Sequence, residues 1–143
     1  MGNHPDSHRK LVIHCDGASR GNPGPAGAGA IVKDEQGATI RQVYKFLGHA
    51  TNNQAEYAAL ILGIEEAQKL AARDVEFRLD SELVVLQLNG QYKVKNAGLR
   101  PFFQRAMELL NGFERYSIKH VPRSMNRDAD ELANRAIDGH APL

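Results

Sequence analysis

No stretch of this chain is long and apolar enough to cross a bilayer, and no apolar run near its start has the form of a signal peptide. Neither a membrane protein nor a secreted one is expected, and the location expected is cytoplasmic. The single cysteine, Cys15, excludes an internal disulfide and suits a reducing compartment. It reads as a small buried strand residue rather than a nucleophile. A dominant charge sign is also missing, with 18 Lys and Arg against 17 Asp and Glu. The balance is only global. Gln91 to Arg105 carries Lys93, Lys95, Arg100 and Arg105 without an acid, and Arg115 to Arg127 carries Arg115, Lys119, Arg123 and Arg127. Two such segments suggest a local anion-binding face.

What is present fits one folded domain. At 143 residues and 42% apolar, the chain can bury a single core. Residues 1–9 read as a loose polar tail and 10–143 as the domain. Strands are expected over Leu11 to Asp16, Gly29 to Lys33, Thr39 to Leu47, Val75 to Asp80 and Phe113 to Val121. Helices are expected over Ala55 to Ala72, Ser81 to Leu88, Leu99 to Leu110 and Asn126 to Ile137. Strands first, then alternating helix and strand, describe an α/β fold: a mixed five-stranded sheet flanked by helices.

The segment "HCDGASRGNPGPAGAGAIV", residues 14–32, holds five glycines and two prolines after a strand. It is not a phosphate-binding fingerprint. Gly27-Ala28-Gly29 is its only G-x-G, Val32 stands where a third glycine belongs, and the lysine–hydroxyl pair of a P-loop is missing. It reads as a tight connection between strands that presents Asp16.

Four acids fall at element ends. Asp16 and Asp80 close strands, where ligands of open α/β sheets sit, although Asp80 could equally cap the next helix with Ser81. Glu56 lies in line with Leu60, Gly63, Ala67 and Leu70, the stripe expected to face the sheet, and the alternative is a capping box of Asn53 with Glu56. Asp130 flanks the stripe of Ala129, Leu132, Ala133 and Ala136, where a helix N-terminus favours an acid in any case. Taken one at a time, each has an ordinary explanation. Together at one end of a sheet, they match a hard divalent cation, and without one they would repel.

The segments "DGASRGNPGPAGAG", "TNNQAEYAAL", "LDSELVV" and "HVPRSMNRDADELA" follow the order and spacing of ribonuclease H, type I, and the chain resembles that family from about Leu11 to Ile137. The resemblance implies the ribonuclease H-like fold, with strand two antiparallel to the rest. It implies endonucleolytic hydrolysis of the RNA strand of RNA/DNA hybrids, leaving 5′-phosphate and 3′-hydroxyl ends. Asp16, Glu56, Asp80 and Asp130 match the family's metal-binding carboxylates, holding two Mg²⁺ ions with Mn²⁺ as a substitute, and His120 matches its mobile catalytic histidine. Asn126 matches a position near the site. Gly17, Ala18, Ser19, Arg20, Gly21 and Asn22 lie where the family meets RNA, the small residues letting backbone approach the sugar-phosphate chain. Asn52, Asn53 and Gln54 are placed to touch the strands, while Thr51 and Asn96 match a pocket for a DNA-strand phosphate.

Two departures stand out. The pocket's usual arginine falls at His49. The basic, tryptophan-bearing protrusion of some relatives is replaced by Asn89-Gly90-Gln91-Tyr92-Lys93, and the chain has no tryptophan. A compact, protrusion-lacking monomer is expected, with double-stranded RNA left open as a second substrate. The alternative is a non-catalytic hybrid-binding module of the same fold, which would have no need of all four acids and His120. A resolvase or integrase fits the glycine and TNNQAE segments poorly.

Overall fold

The computed structural model describes residues 10–140. The expected tail, residues 1–9, lies outside the described residues. Five strands, β1 (Lys10–Ser19), β2 (Gly24–Lys33), β3 (Thr39–Ala50), β4 (Asp74–Leu79) and β5 (Arg115–His120), form one sheet in the order β3-β2-β1-β4-β5. β2 runs antiparallel to both its neighbours, whereas β1, β4 and β5 are parallel. The expected mixed sheet is therefore present.

Four helices, α1 (Asn52–Lys69), α2 (Glu82–Leu88), α3 (Arg100–Leu110) and α4 (Arg127–Asp138), complete the fold, with one 3₁₀ turn at Arg123–Met125. α1 lays Leu60, Gly63, Ile64 and Ala67 on the sheet face that carries Ile13, Cys15 and Ala30. α4 lays Ala129, Leu132, Ala133 and Ala136 on the opposite face, against Gly27 and Gly29. Both faces of the central strands are thus covered, which explains why β1 and β2 are buried almost continuously rather than alternately.

Two local expectations need correction. The glycine-rich segment is mostly strand, not connection. β1 continues to Ser19, β2 begins at Gly24, and only residues 20–23 turn. A Cβ on Gly29 would lie 2.5 Å from the Ala129 carbonyl oxygen, and one on Gly27 would strike the Ala133 carbonyl. A Cβ on Gly17 would strike the Ala55 carbonyl of α1. The small residues at these positions admit helices, so close helix packing explains them without any nucleic acid.

The second correction concerns the start of α1. The capping box is Thr51 with Gln54, not Asn53 with Glu56. Thr51 Oγ1 accepts from the Gln54 N–H at 3.1 Å, and Gln54 Oε1 accepts from the Thr51 N–H at 3.0 Å. Starting the helix at Asn52 rather than Ala55 moves Glu56 past the cap and frees its carboxylate.

Candidate active site

Register places the acids. The parallel pairing of β1 with β4 ends at Cys15 opposite Leu79. Asp16 and Asp80 are each the next residue, so both emerge together at the carboxyl edge of the sheet. Ser81 caps α2 by itself, accepting from the Val84 N–H at 3.4 Å, which leaves the Asp80 carboxylate unclaimed by the cap. α1 delivers Glu56 to the same edge. There the Gly17 N–H donates to Glu56 Oε1 at 2.5 Å.

Oxygens of Asp16, Glu56 and Asp80 lie within 4.8 Å of one another. Asp16 is 5% exposed and Glu56 6%. Burial is the first cause that pushes both carboxyls well above the usual carboxylate range. The Glu56 charge then raises Asp16 further, while the Gly17 N–H holds the rise of Glu56 back. Glu56 Oε2 is fully buried and has no hydrogen-bond partner among the described residues. A buried carboxylate beside two others is costly unless a cation completes the group. An all-oxygen donor set suits a hard divalent ion such as Mg²⁺ or Mn²⁺, so the residues fit the implied metal.

Asp130 lines the same open cleft, of about 470 Å³, together with Asp16, Gly17, Ala18, Ser19, Arg20, Asn52, Asn53, Glu56, Asp80, Arg123 and Asn134. His120, the last residue of β5, sits opposite Leu79 in register and is exposed, outside the lining of the cleft. Asn126 is 1% exposed. Its Nδ2 donates to the Cys15 carbonyl at 2.8 Å, so its Oδ1 faces His14 Nδ1 at 3.0 Å and the His14 proton sits on that nitrogen. Burial lowers the His14 pKa, keeping the ring neutral. Asn126 thus ties the start of α4 to the strand that carries Asp16.

Several residues assigned to nucleic acid are engaged within the protein. Ser19 Oγ lies against the carbonyls of Ala50, at 2.7 Å, and Gly21. Arg20 bonds Asp138 and Asn134. A second pocket, of about 200 Å³, is lined by Asn22, Thr51, Asn53, Gln54, Asn96 and Leu99, and His49 is not among its lining residues. Asn22 Oδ1 accepts from the Asn52 N–H at 3.0 Å and Asn96 Oδ1 from the Gly98 N–H at 2.7 Å. Both amide nitrogens are therefore left as outward donors. Sequence reasoning missed Asn134 and Ser81 in the catalytic cleft. Spacing could have found Asn134, one helical turn beyond Asp130.

A carboxylate cluster at the strand ends of a mixed α/β sheet, beside a polar pocket, forms an open cleft whose acids could hold a metal ion. Residues 14–136 match the family model described as reverse transcriptase-like. Ribonuclease HI of Halobacterium salinarum is 46% identical over 94% of this chain and 67% of its own length. The crystal structure of RNase H1 from that archaeon has a TM-score of 0.89 at 46% identity, covering 91% of this chain and 98% of that one. LC11-RNase H1, solved in complex with an RNA/DNA hybrid, has a TM-score of 0.85 at 42% identity, covering 90% and 97%. The chain spans 36% of the length of its mycobacterial relatives, which are 46% identical to it. The chain belongs to the ribonuclease H family.

Proposed function

We propose that this protein hydrolyses the RNA strand of RNA/DNA hybrids endonucleolytically, leaving 5′-phosphate and 3′-hydroxyl ends. The observation that carries the reading is the group of three acids, whose oxygens lie within 4.8 Å, with Glu56 Oε2 buried and unpartnered. A bare cluster of this kind repels a phosphodiester, so substrate can enter only with cations present. Asp16, Glu56, Asp80 and Asp130 would hold two Mg²⁺ ions, with Mn²⁺ as a substitute, and such ions supply an activated water and charge stabilisation at the leaving 3′ oxygen.

The chain's own residues do the rest. The Gly17 N–H orients Glu56 by one oxygen and holds its carboxylate in the group with Asp16 and Asp80. His120, exposed at the end of β5, is available to pass a proton between the site and solvent. The outward amides of Asn22 and Asn96, with the Thr51 hydroxyl proton, make the second pocket a phosphate cradle for the DNA strand. Exposed Asn52 and half-buried Asn53 are placed to reach the groove between the two positions. Contacts of this kind read backbone shape and 2′-hydroxyls rather than sequence, as an enzyme for any hybrid requires. Lys93, Lys95, Arg100 and Arg123 would supply the flanking cations.

Monomeric action in the cytoplasm belongs to the same proposal. Among the described residues the exposed large apolar side chains are Tyr44 on β3, Leu83 on α2, Tyr92 between α2 and α3, and Met125 in the 3₁₀ turn. No helix is long and apolar enough to cross a membrane. The test is an assay with strand-specific end-labelled hybrid, duplex RNA and duplex DNA, each with Mg²⁺, Mn²⁺ or EDTA. Metal-dependent cleavage of the RNA strand of the hybrid is expected. Absence of cleavage with hybrid bound would leave a binding module.

A further inference from the structure

Asp130 is not one of the three acids whose oxygens all lie within 4.8 Å of one another, but its carboxyl meets that of Asp16, and it has a second partner on its own helix. Asn134, one turn on, donates from Nδ2 to Asp130 Oδ1 at 3.3 Å and to the Asp130 carbonyl at 3.0 Å. The carbonyl contact alone would be ordinary back-bonding along a helix. The carboxylate contact depends on which end of the amide faces Asp130, because the oxygen end would repel it.

Arg20 settles that choice. Its Nη2 lies 3.1 Å from Asn134 Oδ1, so a donor occupies the oxygen side and Nδ2 is left to turn toward Asp130. Asp138 Oδ1 accepts from Arg20 Nη1 at 2.5 Å and aims the guanidinium. The Arg20 N–H donates to the Pro25 carbonyl at 2.8 Å, which anchors the turn that carries it. This set of contacts joins the end of the strand that carries Asp16 to the helix that carries Asp130. Arg20 and Asp138 side chains are 44% and 65% exposed. A pair that open contributes little to stability, so its consequence is the orientation it imposes.

We propose that Asn134 is a positioning residue for Asp130, with Arg20 and Asp138 holding its amide in the donating orientation. The proposal rests on the reading of Asp130 as a cation ligand. With Oδ1 engaged by the amide, the carboxylate is restrained from rotating away from Asp16 and from a cation held between them. Residues that orient a ligand in this way change metal affinity without touching substrate.

The test is calorimetric titration of Mn²⁺ into the hybrid-free protein, with the Mg²⁺ dependence of cleavage and melting in EDTA as companions. Asn134→Ala should weaken Mn²⁺ binding about 10-fold and raise the Mg²⁺ activation midpoint by a similar factor. KM for hybrid and the melting temperature in EDTA should change little. Arg20→Met should weaken Mn²⁺ binding less, and should add nothing in the Asn134→Ala background, because both act through one contact. Unchanged Mn²⁺ affinity in Asn134→Ala overturns the proposal, as does an Arg20→Met effect of equal size in both backgrounds. Asp130→Asn separates the two levels. If it too leaves Mn²⁺ affinity and turnover intact, the ligand reading itself fails. If it lowers both while Asn134→Ala lowers neither, only the positioning role fails.

Discussion

Asp16→Asn should yield an inactive protein that is more stable than the parent when metal is withheld. Two carboxylate charges no more than 4.8 Å apart repel by at least about 3.5 kcal/mol at an effective dielectric of about 20. The metal-free native state escapes by keeping a proton on the cluster. At pH 7 that costs about 1.4 kcal/mol for each unit above an ordinary pKa near 3.9, or about 4 kcal/mol in all. Both routes converge on a penalty of roughly 3–4 kcal/mol, which asparagine removes. For a chain of this length, 3 kcal/mol corresponds to about 10 °C in melting temperature.

The pH dependence follows from the direction of the shifts. Asp16 and Glu56 have raised pKa values in the folded protein. Above about pH 4 the native state therefore binds protons that the unfolded chain has released, and stability falls as pH rises toward the raised values. Parent melting in EDTA should drop between about pH 5 and pH 8, and the variant should be flatter. Mg²⁺ should raise the parent's melting temperature and leave the variant's nearly unchanged, narrowing the gap. The assay is circular-dichroism melting across that pH range, in EDTA and in Mg²⁺, beside a cleavage assay. The reasoning is refuted if the variant melts at or below the parent in EDTA at neutral pH, or if Mg²⁺ stabilises both alike. Near-normal cleavage by the variant would remove Asp16 from the site.

His120→Ala should lower turnover by roughly 10²-fold without abolishing it, and single-turnover cleavage against pH distinguishes this from a structural residue with no effect. His49→Arg should raise hybrid affinity, because it places a permanent cation two residues before Thr51, which lines the second pocket. Binding curves in Ca²⁺ for both proteins check this, and identical curves would show that His49 does not meet the DNA strand. Hybrid affinity should also weaken with salt, and less steeply than in protrusion-bearing relatives, because few lysines and arginines are available to displace counterions. Gly29→Ala places a Cβ 2.5 Å from the Ala129 carbonyl oxygen and 2.7 Å from Leu132 Cβ. It should cost about 1–3 kcal/mol of stability. Its cleavage should fall even where melting shows the variant folded, and full activity there would mean that α4 tolerates displacement.

The acids were legible in the sequence because each adjoins a strong local signal. Asp16 and Asp80 follow runs of apolar strand residues, Glu56 lies on a helical stripe, and Asp130 borders another. Periodicity also recovered the five strands and four helices, with ends displaced by a few residues where the last turn depends on capping. Moving the start of α1 from Ala55 to Asn52 changed which residues form the cap, and with it whether Glu56 was free. What stayed hidden is nonlocal. Asn126 reaches a carbonyl 111 positions away, and Arg20 a carboxylate 118 positions away. No pattern along the chain encodes either partner.

The glycines were the largest misreading, and their placement shows how the site is assembled. They looked like freedom for a turn, because that is the use a local window can display. In the fold, Gly17 lets the first turn of α1 close onto β1, and its N–H meets the Glu56 carboxylate. Gly29 lets α4 close onto β2 at Ala129, the residue before Asp130, and its register partner on β1 is Asp16. A side chain at either glycine would hold a helix, and the acid it carries, away from the strand that carries Asp16. Carboxylates that repel one another have to be brought together by contacts that do not depend on them. Backbone-to-backbone packing at Gly17 and Gly29 supplies that force, so the segment beside Asp16 serves catalysis by setting the distance between elements.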